Sequence, residues 1–218
     1  MKKFILLIIS ILCVITAHSQ THFKEVQHYL FQEFTVGTVH LKNGETTRAL
    51  LNYNLLTEEM VFANRGQMQA ISEEYANRIA QIVIADRTFF MHEGNFVELL
   101  YSNGIRLYAD YKARINDPGS AAGYGMRSQT AVSSRYLRLH FETAVYNLEL
   151  PEDLVPIPYT HYWLKKNGRY HEVSNISQFR RIYPNRRDAL REFQNANNID
   201  FNDPATILSL VKHLEGVE

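Results

Sequence analysis

Eight histidines follow residue 19, and none belongs to an H-E-x-x-H pattern. That spacing would set two imidazoles on one helical face, so a helical zinc site is not encoded. His161 and His171 are the closest pair on one predicted element, on either side of Asn167-Gly168. A two-residue turn there puts them on opposite faces of a hairpin, where they do not share a metal ion. His171 falls among apolar residues and reads as a hydrogen-bonded core histidine. There is no G-x-S-x-G elbow for a serine nucleophile. Ser128, Thr130, Ser133 and Ser134 lie in a polar, glycine-rich stretch and read as loop residues. Glu58-Glu59, Glu73-Glu74 and Glu152-Asp153 are adjacent carboxylates. A glycosidase needs two carboxyls facing each other across a substrate, whereas neighbours on a strand point opposite ways. No catalytic residue, metal or cofactor is therefore expected.

What remains is binding chemistry. The same register gives the hairpin around Asn167-Gly168 one face carrying Tyr162, Leu164, His171 and Val173. Its other face carries His161, Trp163, Lys165, Tyr170 and Glu172. Trp163, Lys165, Tyr170 and Glu172 are the candidate ligand-binding residues: aromatic rings beside charges can stack a sugar or grip a protein partner. The bland alternative is that the helices that follow cover this face and make Trp163 core. A second candidate is the basic run of Arg180, Arg181, Arg186, Arg187 and Arg191, with Lys165, Lys166 and Arg169 nearby. It reads either as the solvated face of short helices or as a patch for an anionic glycan, lipid headgroup or acidic partner.

Those residues must be positioned by strands. Asn43-Gly44, Asn103-Gly104 and Asn167-Gly168 each sit between strand-like runs and signal hairpins, because both residues tolerate positive φ. Thirteen Tyr and twelve Phe suit pleated, half-buried surfaces. A two-residue loop at Asn43-Gly44 pairs Leu41 with Thr46 and places Val39, Leu41 and Leu50 on one face. Val36, Ala49 and Leu51 then share the other, with a β-bulge near Gly37. The second hairpin pairs Leu100 with Leu107 and Phe96 with Tyr111. Further strands are predicted over 59–63, 68–72, 79–86, 88–91, 136–142 and 145–150.

Residues 116–135 are Gly- and Ser-rich and read as a loop, and 151–158, with three prolines, as a linker. From Ser177 helical signals take over. Ser177 and Asn185 are candidate caps, Asn197 or Asn198 suits a left-handed C-terminal position, and Asp203-Pro204 opens a last helix. The expected fold is α+β: a large antiparallel roll- or sandwich-like body over 20–150, then a hairpin and three short helices over 159–218.

The N-terminus predicts the compartment. Met1-Lys2-Lys3 is a positive start, Phe4 to Ile15 an apolar run, and Ala17-His18-Ser19 a small-residue cleavage site before Gln20. This is the pattern of a secretory signal peptide cut after Ser19, too short for a membrane span. Cys13, the single cysteine, would leave with it, so disulfides and thiol chemistry are not expected of the mature chain. Removing Lys2 and Lys3 from a chain with 23 basic and 23 acidic residues leaves a formal charge near −2. That balance argues against nucleic acid as a partner, and without a second long apolar run the mature chain is not expected to be an integral membrane protein.

The cleavage site before Gln20, the stretch TVGTVHLKNG…LLNYN, the Gly-rich loop after the second hairpin, and the Tyr-Pro-…-Leu-x-x-Phe tail carry a resemblance. Together they resemble uncharacterised secreted envelope proteins of Bacteroidetes-type bacteria, over most of the chain. The resemblance implies export and a β-rich body with a helical tail; it implies no activity and no site residues. The expectation is an exported non-enzymatic binding or structural protein of the cell envelope, with an envelope protein or glycan as partner. The alternative is a hydrolase or isomerase with its site between β-body and helical tail, lidded by residues 116–135.

Overall fold

The computed structural model describes residues 28–64, 67–116, 121–122, 126–127 and 155–217. The expected signal peptide, the strands expected over 136–150 and most of the loop expected over 116–135 lie outside the described residues. The strands are β1 Thr35–Leu41, β2 Thr46–Asn54, β3 Glu59–Asn64, β4 Gln67–Ala70, β5 Ile79–Ile84, β6 Arg87–His92, β7 Asn95–Asn103 and β8 Ile105–Asn116. The two-residue strands β9 Ala121–Ala122 and β10 Met126–Arg127 pair with each other. β11 Val155–Lys166 and β12 Arg169–Val173 follow. The helices are α1 Glu73–Ala76, α2 Ile176–Ile182, α3 Arg187–Ala196 and α4 Pro204–Glu215, with a single 3-10 turn over Pro184–Arg186.

Ten strands form one antiparallel sheet in the order β12-β11-β8-β7-β6-β5-β1-β2-β3-β4. Two meanders run outward from a central seam of β1 against β5. α1, capped by the Ser72 side chain accepting from Tyr75 N–H, sits in the connection that returns the chain from the β4 edge to that seam. The sheet also curves: Ala113 N–H donates to Leu55 O at 2.7 Å, although β8 and β2 stand five places apart in the strand order.

The first hairpin departs from its expected register by one residue. His40 pairs with Thr46, Val39 with Thr47 and Gly37 with Ala49, and Leu41 N–H donates to Glu45 O. The loop has three residues, Lys42 to Gly44, with Gly44 at φ 92°, the left-handed position that closes such loops. A slip of one exchanges the faces. Ala49 and Leu51 therefore join Val39 and Leu41 inside, while Val36 and Leu50, paired with each other, are exposed. No bulge lies at Gly37; the β1 irregularity is between His40 and Leu41, against β5. Gly37 is glycine for want of room. A Cβ there would stand 2.8 Å from Leu51 Cδ1 and 2.9 Å from the Val83 carbonyl oxygen.

The second hairpin pairs Tyr101 with Leu107, not Leu100; a bulge at Leu100 then brings Leu99 opposite Tyr108 and Glu98 opposite Ala109. The expected linker is also corrected. Residues 155–158 are strand, so Pro156 and Pro158 lie in β11 and pair with Ile115 and Ala113. β12 flanks β11 only from Tyr162 to Lys166, which leaves the proline end without a strand neighbour on that side. Missing N–H groups are tolerated there.

The helices lie against this sheet. Asn175, not Ser177, caps α2, in a capping box with Gln178. α3 starts at Arg187 without a side-chain cap, and Asn197 after it is extended rather than left-handed. Asp203 caps α4 as expected, and Gly216 ends it in the left-handed conformation. Ile207, Leu210, Val211 and Leu214 of α4 are buried in the same core as Leu107, Ala109, Tyr162, Leu164 and Phe179. Each such Leu, Ile, Val or Phe side chain contributes about 1.5–3 kcal/mol.

Gly37→Ala should destabilise the protein by about 1–3 kcal/mol, because a backbone carbonyl cannot step aside as a flexible side chain can. Urea denaturation followed by far-UV circular dichroism checks this.

Candidate functional site

The third hairpin folds as its sequence predicts. Asn167 and Gly168 have φ 52° and 74°, a two-residue turn that pairs Lys166 with Arg169 and Trp163 with Glu172. Tyr162, Leu164 and Val173 are buried. The helical tail covers that face and not the other: the Tyr162 hydroxyl donates to Phe201 O at 2.8 Å. Trp163 and Lys165 are therefore half-buried and Tyr170 and Glu172 exposed, all four on the side away from the helices. His171 is half-buried beside Leu164, without a hydrogen-bond partner among the described residues. His161 Nδ1 stands 3.2 Å from Glu172 Oε1 on the opposite face, so the two histidines are apart as expected. No group of three or more metal-ligating side chains occurs among the described residues.

The structure adds partners that the sequence did not mark. His92, at the end of β6, stacks on Tyr170 with ring centroids 4.3 Å apart and meets Trp163 edge-on at 4.6 Å. Tyr108 lies 6.2 Å from Tyr170, and Lys165 Nζ 4.8 Å from the centre of the Tyr170 ring. Tyr170 is 41% exposed, the one aromatic among the exposed large hydrophobic side chains of the described residues. Beside it the turns of the second and third hairpins enclose a cleft of about 330 Å³, lined by Ser102, Gly104, Ile105, Arg106, Lys165, Asn167 and Gly168. Burial raises the Tyr108 phenol, and its hydrogen bond with Arg106 pulls the other way. The arrangement is an aromatic platform edged by two cations and by turn amides. It can stack a flat apolar face and hydrogen-bond its rim.

Ionisable groups also converge in the interior. The Glu98 carboxylate accepts from Arg87 Nη2 and from the Tyr111 hydroxyl, each at 2.6 Å. The Arg87 guanidinium stands 4.9 Å from the Phe31 ring centre and 5.0 Å from that of Tyr111. Burial works against the Arg87 charge, but the Glu98 hydrogen bond and the charges nearby outweigh it and raise its pKa. Burial, then the Glu98 charge, raises Tyr111, which stays a protonated donor. A second network joins Lys112 to Glu58 and Asp110, with Asn95 donating to Glu58. Neither network lines the cleft beside Tyr170. They pin strands together; Glu98 and Arg87 face each other across β7 and β6. Glu58, one of the adjacent carboxylates, is half-buried and bonded across to β7 and β8.

Compared with protein-family models, curated proteins and solved structures, the chain matches none of them. The platform therefore stands on its own geometry.

Burial is the main cause that lowers the His92 pKa below its ordinary 6.5; Glu93 and Asp110 oppose it, and Lys165 adds to it. A histidine held neutral by the fold resists protonation, so its contribution to stability is lost as pH falls below 6.5 toward the lowered value. An imidazolium quenches indole emission. Fluorescence of Trp163, the single tryptophan, should fall with a midpoint below pH 6.5, and His92→Gln should abolish the transition. A pH titration of emission intensity checks both.

Proposed function

We propose that this chain is an exported, non-enzymatic binding or structural protein of a bacterial cell envelope, and that the Trp163–Tyr170 face is where it holds its partner. The observation that carries this reading is the exposed Tyr170 ring, braced by His92 and Lys165, with Trp163 against His92, on the face that the helices leave uncovered. A pre-ordered aromatic surface binds with little ordering cost. A saccharide is the occupant that fits best: its C–H face stacks on Tyr170, and its hydroxyls reach Arg106, Lys165, Glu172 and the turn amides.

A hydrolase or isomerase site between sheet and helices would need space there. Among the described residues that boundary is filled by Tyr162, Leu164, Phe179, Leu210 and Val211, all buried. Closure of the curved ten-strand sheet as a roll belongs to the same proposal, supported by the Ala113–Leu55 hydrogen bond. Among the described residues no helix is long and apolar enough to cross a membrane. Export rests on the N-terminal pattern and on its resemblance to secreted envelope proteins of Bacteroidetes-type bacteria.

Titrating the mature protein with envelope polysaccharide fragments should give a saturable change in Trp163 emission. Tyr170→Ala should weaken that binding by about 0.5–1.5 kcal/mol, the worth of one aromatic stacking contact. No saturable change with either polysaccharide or solubilised envelope protein would remove the reading. Intact mass of the exported protein should correspond to a chain beginning at Gln20; retention of residues 1–19 would refute the cleavage.

A further inference from the structure

The basic run in the tail does not stay together in space. Lys166 pairs with Glu215 and stands 4.4 Å from the centre of the Tyr183 ring. Arg186 turns toward Gly216 at the end of α4, and Lys165 toward Tyr170. Arg169 stays at the start of β12, opposite Lys166, and the other four converge. Arg180 and Arg181 of α2, with Arg187 and Arg191 of α3, line one open groove with Pro184 and Gln194, of about 630 Å³.

The geometry explains the convergence. Arg180 and Arg181 fall in the last turn of α2, and the single 3-10 turn beginning at Pro184 swings the chain directly into α3. Arg187 and Arg191 are four apart, so they stand one above the other on α3, and Gln194 continues the row. All four arginines are exposed. No acidic side chain lines the groove among the described residues. Among the described residues the one carboxylate contact of the four is Arg191 to Asp188, at 3.9 Å between two exposed side chains. Four guanidinium groups held on two helices without neutralisation repel one another, and an anion between them relieves that repulsion.

We infer that this groove is a binding site for sulfate or phosphate esters carried on a soluble saccharide. Guanidinium forks match tetrahedral oxyanions through paired hydrogen bonds, and four of them across one groove suit a ligand with several anionic groups. The volume is that of a small-molecule site. α3 begins beside the groove at Arg187, and its N-terminal dipole adds to the attraction. A protein or a bilayer is a poorer fit. Protein interfaces are anchored by apolar or aromatic side chains, and surface-bound helices by apolar insertion. The exposed large hydrophobic side chains of the described residues, Val36, Leu50, Val155 and Tyr170, all lie on strands and none on α2 or α3. The groove shares no residue with the Trp163–Tyr170 platform, so either site can fail without the other.

The test is isothermal titration of the full mature chain with a heparin-derived hexasaccharide, inorganic phosphate, and vesicles of equimolar phosphatidylcholine and phosphatidylglycerol. The hexasaccharide should bind, more weakly as salt rises. The double substitution Arg187→Gln/Arg191→Gln should weaken it about tenfold or more, and Arg180→Gln/Arg181→Gln should act likewise. Val36→Ala, an exposed change on β1 outside the groove lining, should leave it unchanged. All five positions are exposed, and an unchanged thermal midpoint confirms that each variant folds. Hexasaccharide binding that survives both arginine pairs overturns the assignment. So does binding to vesicles alone, or competition by inorganic phosphate at the same concentration of anionic groups, which would mark a general ion site.

Discussion

Eleven consecutive residue pairs between β8 and β11 tie the C-terminal part of this chain to the sheet begun at Thr35. That ladder decides which side of β11 faces the core. Thr160, Tyr162 and Leu164 go in against Tyr111, Ala109 and Leu107, and the helices close over them. By the two-residue period of a strand, Trp163 and Lys165 must then face the other way. The aromatic platform is thus the reverse side of the contact that buries the helical tail. Tail and body do not form separate cores; one apolar cluster runs from Val39 to Leu214.

How much of this could be read from the chain depended on how local the deciding interaction was. The third hairpin was legible because Asn167 and Gly168 both take positive φ and fix the pairing by themselves. The first was not, because Asn43-Gly44 serves equally in a three-residue loop, and only burial against β5 selects between two registers that expose opposite faces. The prolines of β11 misled for a related reason. They argue against a central strand, yet the sheet is ragged, and along residues 155–161 β11 has a partner on one side alone. The helix start at Asp203-Pro204 was written locally, whereas Asn175 took the cap from Ser177 through a reciprocal bond with Gln178.

The site divides in the same way. Trp163, Lys165, Tyr170 and Glu172 lie within one hairpin and fell on one face by alternation. His92 arrives from β6, three strands away in the order, and touches two of them only because the sheet curves. No spacing within the chain marks that meeting. The interior networks of Glu98 with Arg87 and Tyr111, and of Glu58 with Lys112, were hidden for a further reason. A carboxylate in a strand or a turn looks solvated until its partners are known. Such buried pairs contribute modestly to net stability, but separating the partners costs about 3–5 kcal/mol. They therefore hold β6, β7 and β8 in a single alignment.

The two ends of the sheet are unlike its middle. β4 has four residues and β12 five, against nine to twelve in β2, β7, β8 and β11. Open backbone donors and acceptors at a sheet margin invite a further strand from another molecule, and a long flat margin propagates into fibrils. Here each margin is barely one pleat longer than a turn, and β12 sets Arg169 and Glu172 along it. A broad sheet rich in tyrosine and phenylalanine can thus stay a discrete particle even at high concentration.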